Sequence, residues 1–182
     1  YKCKKPFIIY NYFSSSLDNK IINSSNKINL KPNSELTLIE YNLGEKSKFF
    51  KNTFEKIKID EGALLKSIIL QKNKSNGFFY KNVSGSQGYN SSYQNFILSS
   101  GLKFDKIEID INLEKENSNC YILSSLCLSK AEHQEIKTQV NHLAPNCKSY
   151  QKIKNVLEND SNGVYQGKIF VKDIAQKTDA YQ

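Results

Sequence analysis

From Val140 to Gln182 the chain reads VNHLAPNCKSYQKIKNVLENDSNGVYQGKIFVKDIAQKTDAYQ. Val164 to Val171, which begins with the strand formers Val164 and Tyr165, follows an Asn-Gly pair at Asn162 and Gly163 and reads as a strand after a turn. Within that strand Ile169 and Val171 fall on one face and Lys168 and Lys172 on the other. Gly163 and Gly167 stand where a tight turn or a close neighbouring chain needs a residue without Cβ. The segment is a stacking unit, and no catalytic constellation is visible in it.

The same texture runs outward through the chain. Ile28 and Leu30 alternate with polar neighbours, a Pro-Asn-Ser turn follows, and Leu36 and Leu38 alternate again. Ile57 and Ile59 precede a turn at Asp60 to Gly62, and Leu65, Ile68 and Leu70 come after it. Ile107, Ile109 and Ile111 interleave with Lys106, Glu108, Asp110 and Asn112. Glu132 to Val140 is the nearest approach to a helix, but Ile136, Thr138 and Val140 fit a period of two. The expected class is therefore all-β. Short strands with Asn, Ser, Gly and Pro at the corners suit a β-solenoid, in which each coil stacks on the next. On pattern alone a sandwich or barrel fits as well.

Composition bounds the function classes. With 182 residues, 38% hydrophobic and 24% charged, one globular unit with a core is expected. All 26 basic residues are Lys, and the abundance of Lys, Asn and Ile matches an AT-rich coding sequence. The formal charge of +8 raises the question of nucleic acid. Scattered lysines, the lack of Arg for bidentate contacts and the lack of a recognisable binding module argue against it. No apolar run reaches the roughly 18 residues of a membrane span. The chain starts at Tyr1 without Met or a charged-then-apolar leader and stops at Gln182 inside a patterned run. The expectation is a fragment cut at both ends, residues 1–182 being one core domain of a cytoplasmic protein.

Candidate chemistry is sparse. Cys3, Cys120, Cys127 and Cys147 form no CxxC pair or zinc-finger spacing, so free thiols in a reducing compartment are expected. His133, His142 and Cys147 carry donors that suit iron or zinc, but their spacing fits a packed corner with a hydrogen-bonded imidazole better. Cys120 and Cys127 flank an apolar stretch and read as small buried hydrophobes. Glu108 and Asp110 share a strand face with Lys106, which fits a solvated surface better than a glycosidase pair. Lys72 to Gly77 and Ser84 to Ser92, with Gly85 and Gly88, read as polar corners without a P-loop or nucleophile elbow.

The segment from Val140 resembles the core of the SufB/SufD family of iron–sulfur cluster assembly proteins, specifically its SufD branch. The matching residues are His142, Pro145, Ser149, Gln151, Lys154, Val156 and Leu157, then Gly163, Val164, Gly167, Lys168, Ile169 and Val171. The run Ala175-Gln176-Lys177-Thr178-Asp179-Ala180, followed by Gln182, is the most specific part; Tyr165 stands where the family usually has Phe. Upstream, Asn33 to Glu40 and Glu61-Gly62-Ala63 match in texture. The resemblance implies a right-handed parallel β-helix, truncated here, and a non-catalytic scaffold. It further implies pairing with a SufB-like subunit, association with a SufC-like ABC ATPase, and an iron–sulfur cluster formed transiently at the level of the complex. No cofactor is expected on this stretch itself, since the family's Cys-x-His-Gly segment lies further along than Gln182. Lys177, Thr178, Asp179 and Gln182 are the candidate partner-interface residues, at a strand edge able to meet another chain. A carbohydrate-active β-helix protein is the alternative with the same architecture; the lack of Arg and of a leader argues against it.

Overall fold

Strands of ten residues with apolar residues at many alternate positions recur along the chain, and most are followed within a few residues by one with a left-handed backbone. The computed structural model describes residues 2–182, except the side chains of residues 73–75. The strands are β1 (Phe7–Phe13), β2 (Ile21–Leu30), β3 (Glu35–Gly44), β4 (Phe50–Ile59), β5 (Leu64–Gln87) and β6 (Ser92–Leu113). They continue as β7 (Asn119–Leu128), β8 (His133–His142), β9 (Lys148–Leu157), β10 (Asn162–Val171) and β11 (Asp179–Tyr181). One 3₁₀ turn, Ser15–Leu17, is the only helical element among the described residues.

Every strand pairing is parallel. Sheet one stacks β1, β3, β5, β6, β7, β9 and β11 in that order; sheet two stacks β2, β4, β5, β6, β8 and β10. The long strands β5 and β6 turn a corner and belong to both. Along sheet two the rung Ile21, Phe50, Phe78, Phe104, His133, Asn162 advances 26 to 29 residues per coil. The molecule is a flattened parallel β-solenoid, which decides between the two architectures that the pattern left open.

One corner repeats in every coil. Asn33, Gly62, Asn90, Asn117, Asn146 and Lys177 all have positive φ, between 52° and 64°. Gly and Asn dominate because this backbone region crowds a Cβ, and the short Asn side chain tolerates it. The amides of five of them donate to the next coil: Asn33 to the Glu61 carbonyl (2.8 Å), Gly62 to Tyr89 (2.9 Å), Asn90 to Glu116 (3.0 Å), Asn117 to Pro145 (3.4 Å) and Asn146 to Gln176 (3.0 Å). The residue that follows is small in each coil, and Ala63, Ser91, Ser118 and Cys147 are buried at this edge. The corner thus turns the chain and bonds the coils in one step.

The core lies between the two sheets. Leu65, Tyr93 and Cys120 face inward from sheet one, and Ile57, Ile111 and Val140 from sheet two. A second cluster of Phe13, Phe49, Phe79 and Leu102 fills the opposite corner, with Phe13 and Phe49 stacked at 5.0 Å. Ile107, Ile109 and Ile111 point inward and Lys106, Glu108 and Asp110 outward, as their alternation predicts.

Three local expectations are corrected. Asn162 and Gly163 do not form a turn: they open β10, and the left-handed residue of that corner is Asn159. Gly163 and Gly167 both sit inside β10 without positive φ, so close approach explains them and turning does not. A Cβ at Gly163 would come within 3.1 Å of the Asn155 and Leu157 side chains. Ser84 to Gln87 is strand as well, and Gly85 faces the interior between Ile57 and Ile111. Residues 72–77 are a corner, as read, where β5 passes from sheet one to sheet two, but they are strand and not loop, with a register shift against β6.

Candidate functional site

The expected interface residues lie at the C-terminal end of the described solenoid. Lys177 takes the left-handed corner position, and Asp179 opens β11, which pairs with β9 through Asp179–Lys148, Ala180–Ser149 and Tyr181–Tyr150. The hydroxyl of Thr178 is buried, and the Gln182 amide folds back over Gly167 in β10. Lys177, Asp179 and Gln182 are thus the exposed members of the group, while Thr178 is half-buried with its hydroxyl turned toward its own coil.

The His133, His142 and Cys147 trio is not assembled. His133 lies on the outer face of sheet two, stacked on Phe104 at 5.2 Å and bonded to Glu135 at 3.0 Å. His142 points into the core, fully buried, with Nε2 2.9 Å from the Ser149 hydroxyl; burial lowers its pKa and keeps the imidazole neutral. Cys147 lies at the small-residue corner, its Sγ 3.2 Å from Ser118 Oγ. The packed corner with a hydrogen-bonded imidazole is what the structure contains. No group of three potential metal ligands comes together among the described residues.

All four cysteines are free. Cys120 is fully buried, and burial pushes its thiol up to about 12. Cys127 departs from expectation: it lies on the outer face of β7 and is exposed, because its parity in the strand is opposite to that of Cys120. Glu108 joins the solvated network that the alternation predicts. Lys106 Nζ lies 3.4 Å from Glu108 and 3.2 Å from Glu135, and the Tyr80 hydroxyl donates to Glu108 at 2.8 Å. Among the described residues no helix is long and apolar enough to cross a membrane.

Two features escape a reading of the sequence. Inside the N-terminal coils, five charged side chains meet in the core. Lys81 Nζ contacts Glu40 at 2.7 Å and Glu55 at 3.3 Å, and Lys51 Nζ contacts Glu40 at 3.3 Å. Lys51 also lies over the Phe13 and Phe79 rings, 5.1 and 5.3 Å from their centroids. Burial opposes charge on Glu40, yet Lys81 and Lys51 hold its carboxyl down at about 2. Burial likewise opposes the Lys81 ammonium, but Glu40 and Glu55 leave its pKa raised; for Lys51 burial prevails and the pKa is lowered. Asp105 accepts from Ser99 Oγ and Gln134 Nε2, both at 2.8 Å, and burial pushes it up to about 6. The signal in the sequence is faint: Lys51, Thr53 and Glu55 occupy the strand face that continues as Ile57 and Ile59.

The second feature is the outer face of sheet one. Ile68 and Leu70 turn outward, although Leu65 earlier in the same strand turns inward. Beside them in register stand Phe96 and Leu98, both exposed.

A stack of parallel coils with free thiols and a closed interior defines this chain as a β-solenoid whose accessible features are its flanks and ends. The family model described as SUF system FeS cluster assembly, SufBD core domain, matches residues 12–182. The chain belongs to that family, and its role lies in iron–sulfur cluster assembly. No curated protein matches it closely enough for comparison.

Proposed function

We propose that the chain is a scaffold subunit of the SufD branch, without turnover of its own, pairing with a SufB-like subunit and associating with a SufC-like ATPase in the cytoplasm. The observation that carries this reading is the family match across nearly the whole solenoid. The resemblance of the run Ala175 to Ala180 to the SufD branch supports that part of the reading. Physically, stacked parallel coils are stiff because each strand bonds to both neighbours, so the fold suits holding partner subunits in a fixed relation. The iron–sulfur cluster is cargo of the complex. Cys120 and Cys147 are closed off from it by burial, whereas Cys127 and Cys3 are the exposed thiols of this chain.

Lys177 and Asp179 are proposed to meet the SufB-like subunit. The test is co-expression of the full-length protein with the SufB- and SufC-like proteins of the same genome, followed by affinity purification through a tag on this chain. A stoichiometric three-component complex that accepts an iron–sulfur cluster is expected. A chain that purifies alone under the same conditions would refute the scaffold reading. Lys177→Glu tests the surface separately: unchanged affinity for the SufB-like subunit would remove this corner from the interface.

A further inference from the structure

The corner opposite the Asn33 series changes length from coil to coil. Between residues in register on the two sheets, it takes residues 43–49 between β3 and β4, 72–77 within β5 and 127–132 between β7 and β8. Within β6 it takes only residues 100–103, and Gly101, with a φ of 86°, makes the shorter path. The short corner is recessed between longer ones, and a notch of about 290 Å³ opens over it. Leu102 and Lys103 form its floor, Ser129 and Lys130 one wall and Lys46 the other. Further coils of this chain, β1 with β2 and β9 with β10, lie beyond both walls.

The notch is cationic. Lys46, Lys103 and Lys130 are exposed and belong to no ion pair among the described residues. The side chains outside that description add no carboxylate, residues 73–75 being Asn, Lys and Ser. Glu132, an acid in the lining, is engaged by the Ser129 amide at 3.0 Å. Glu45, beside Lys46, accepts from the Tyr12 hydroxyl at 2.9 Å and the Ser15 amide at 2.7 Å. Glu158 and Asp160, in the next corner, form no ion pair with Lys130. Lys103 Nζ donates to the Ala131 carbonyl at 3.3 Å, which sets its ammonium against the wall that carries Lys130.

That wall is held in a strained backbone. The Glu132 amide donates to the Ser129 carbonyl at 3.2 Å, and the two residues between them, Lys130 and Ala131, both have positive φ, 53° and 59°. Two left-handed residues in succession are the pattern of a type I′ turn, which favours Asn and Gly. In the next coil the left-handed residue of this corner is Asn159, as expected. Strain kept at a lysine and an alanine, beside a cationic recess, points to a function at the turn.

Ammonium groups are compact point charges that hold phosphate without the planar fork of an arginine. Three of them around one recess match an anion with more than one charge. The volume is near the lower limit for small-molecule sites, which suits a compact ligand and not a segment of a partner protein. We propose that the notch binds a small ligand with two adjacent phosphate groups, one held by Lys103, Lys130 and the Ser129 hydroxyl and the other facing Lys46. The site goes beyond the scaffold reading and does not depend on it.

The test is isothermal titration calorimetry of the full-length protein with sodium pyrophosphate, orthophosphate and ADP at one fixed ionic strength. Pyrophosphate is expected to bind at a single site, about tenfold or more tighter than orthophosphate, because it engages both walls. Lys103→Gln and Lys130→Gly should each weaken it by about tenfold or more. Lys130→Gly also relieves the strained turn, so its melting temperature should equal or exceed that of the parent while binding is lost. Lys168→Gln removes the same charge from an exposed position on β10 and should leave binding unchanged. ADP binding as tight as that of pyrophosphate supports the site and makes a nucleotide the source of the phosphates; weaker ADP binding supports it with an inorganic source. No saturable binding, no preference for pyrophosphate over orthophosphate, or equal weakening by Lys168→Gln would overturn the proposal.

Discussion

Lys81 Nζ lies 2.7 Å from Glu40 Oε2 inside the solenoid, joining side chains of sheets one and two that are 41 residues apart in the chain. Glu55 approaches the same ammonium at 3.3 Å, so one lysine bridges two buried carboxylates, with Lys51 as the second cation at 3.3 Å from Glu40. Removing one partner of such a cluster leaves charge without a counter-ion in a poorly solvated place. Lys81→Ala should destabilise the fold by about 3–5 kcal/mol, read as a shift of the urea midpoint with unchanged slope. Lys58→Ala, which breaks an exposed pair with Asp60, serves as the control and should cost less than about 1 kcal/mol.

Asp105 and Glu40 predict opposite pH dependences. Asp105 has its folded pKa raised to about 6 from 3.8, so its contribution is fully present below pH 3.8 and is lost as pH rises through 6. Glu40, lowered from 4.5 to about 2, contributes above pH 4.5 and loses that contribution as pH falls toward 2. Asp105→Asn removes a charge that the core disfavours and keeps an oxygen for Ser99 and Gln134. The variant should be more stable than the parent at pH 7.5 by about 1–3 kcal/mol, with the difference shrinking toward pH 5. Paired urea titrations at the two pH values check this, and a constant difference would contradict it.

The corner residues give a backbone prediction. Lys177 and Asn146 occupy equivalent left-handed positions with φ of 56° and 58°. Lys177→Gly relieves a long side chain held in that conformation and should raise stability by up to about 1 kcal/mol. Asn146→Ala should lower it by about the same amount, and Asn146→Gly should be close to neutral. Thermal melts of the three variants suffice.

Thiol chemistry follows from strand parity. Cys3 and Cys127 are exposed, while Cys120 and Cys147 are buried. Ellman's reagent should titrate two thiols quickly in the native protein, and the other two only on unfolding. The Cys127→Ser variant should lose one fast equivalent. A fast third equivalent would mean that the corner around Cys147 opens.

Much of the architecture was legible in local chemistry. Alternation at Ile107, Ile109 and Ile111 assigns their inward direction, because a period of two is a property of the strand backbone itself. Asn33 and Gly62 mark corners because few other residues tolerate positive φ. The free thiols and the unassembled His133, His142 and Cys147 were legible from spacing.

What local chemistry does not encode is which residue stacks on which. Ile68, Ile69 and Leu70 are three consecutive apolar residues, so alternation alone cannot say which of them face out; the register with Phe96 and Leu98 decides it. The same holds for Glu40, Lys51, Lys81 and Asp105, which are far apart in sequence and meet only because coils of 26 to 29 residues superpose them between two sheets. Propensity and turn preference act within a few residues, so the sequence by itself determined the strands and corners. Coil closure acts over a whole repeat, and the tertiary structure alone decided the buried charge cluster and the apolar outer face.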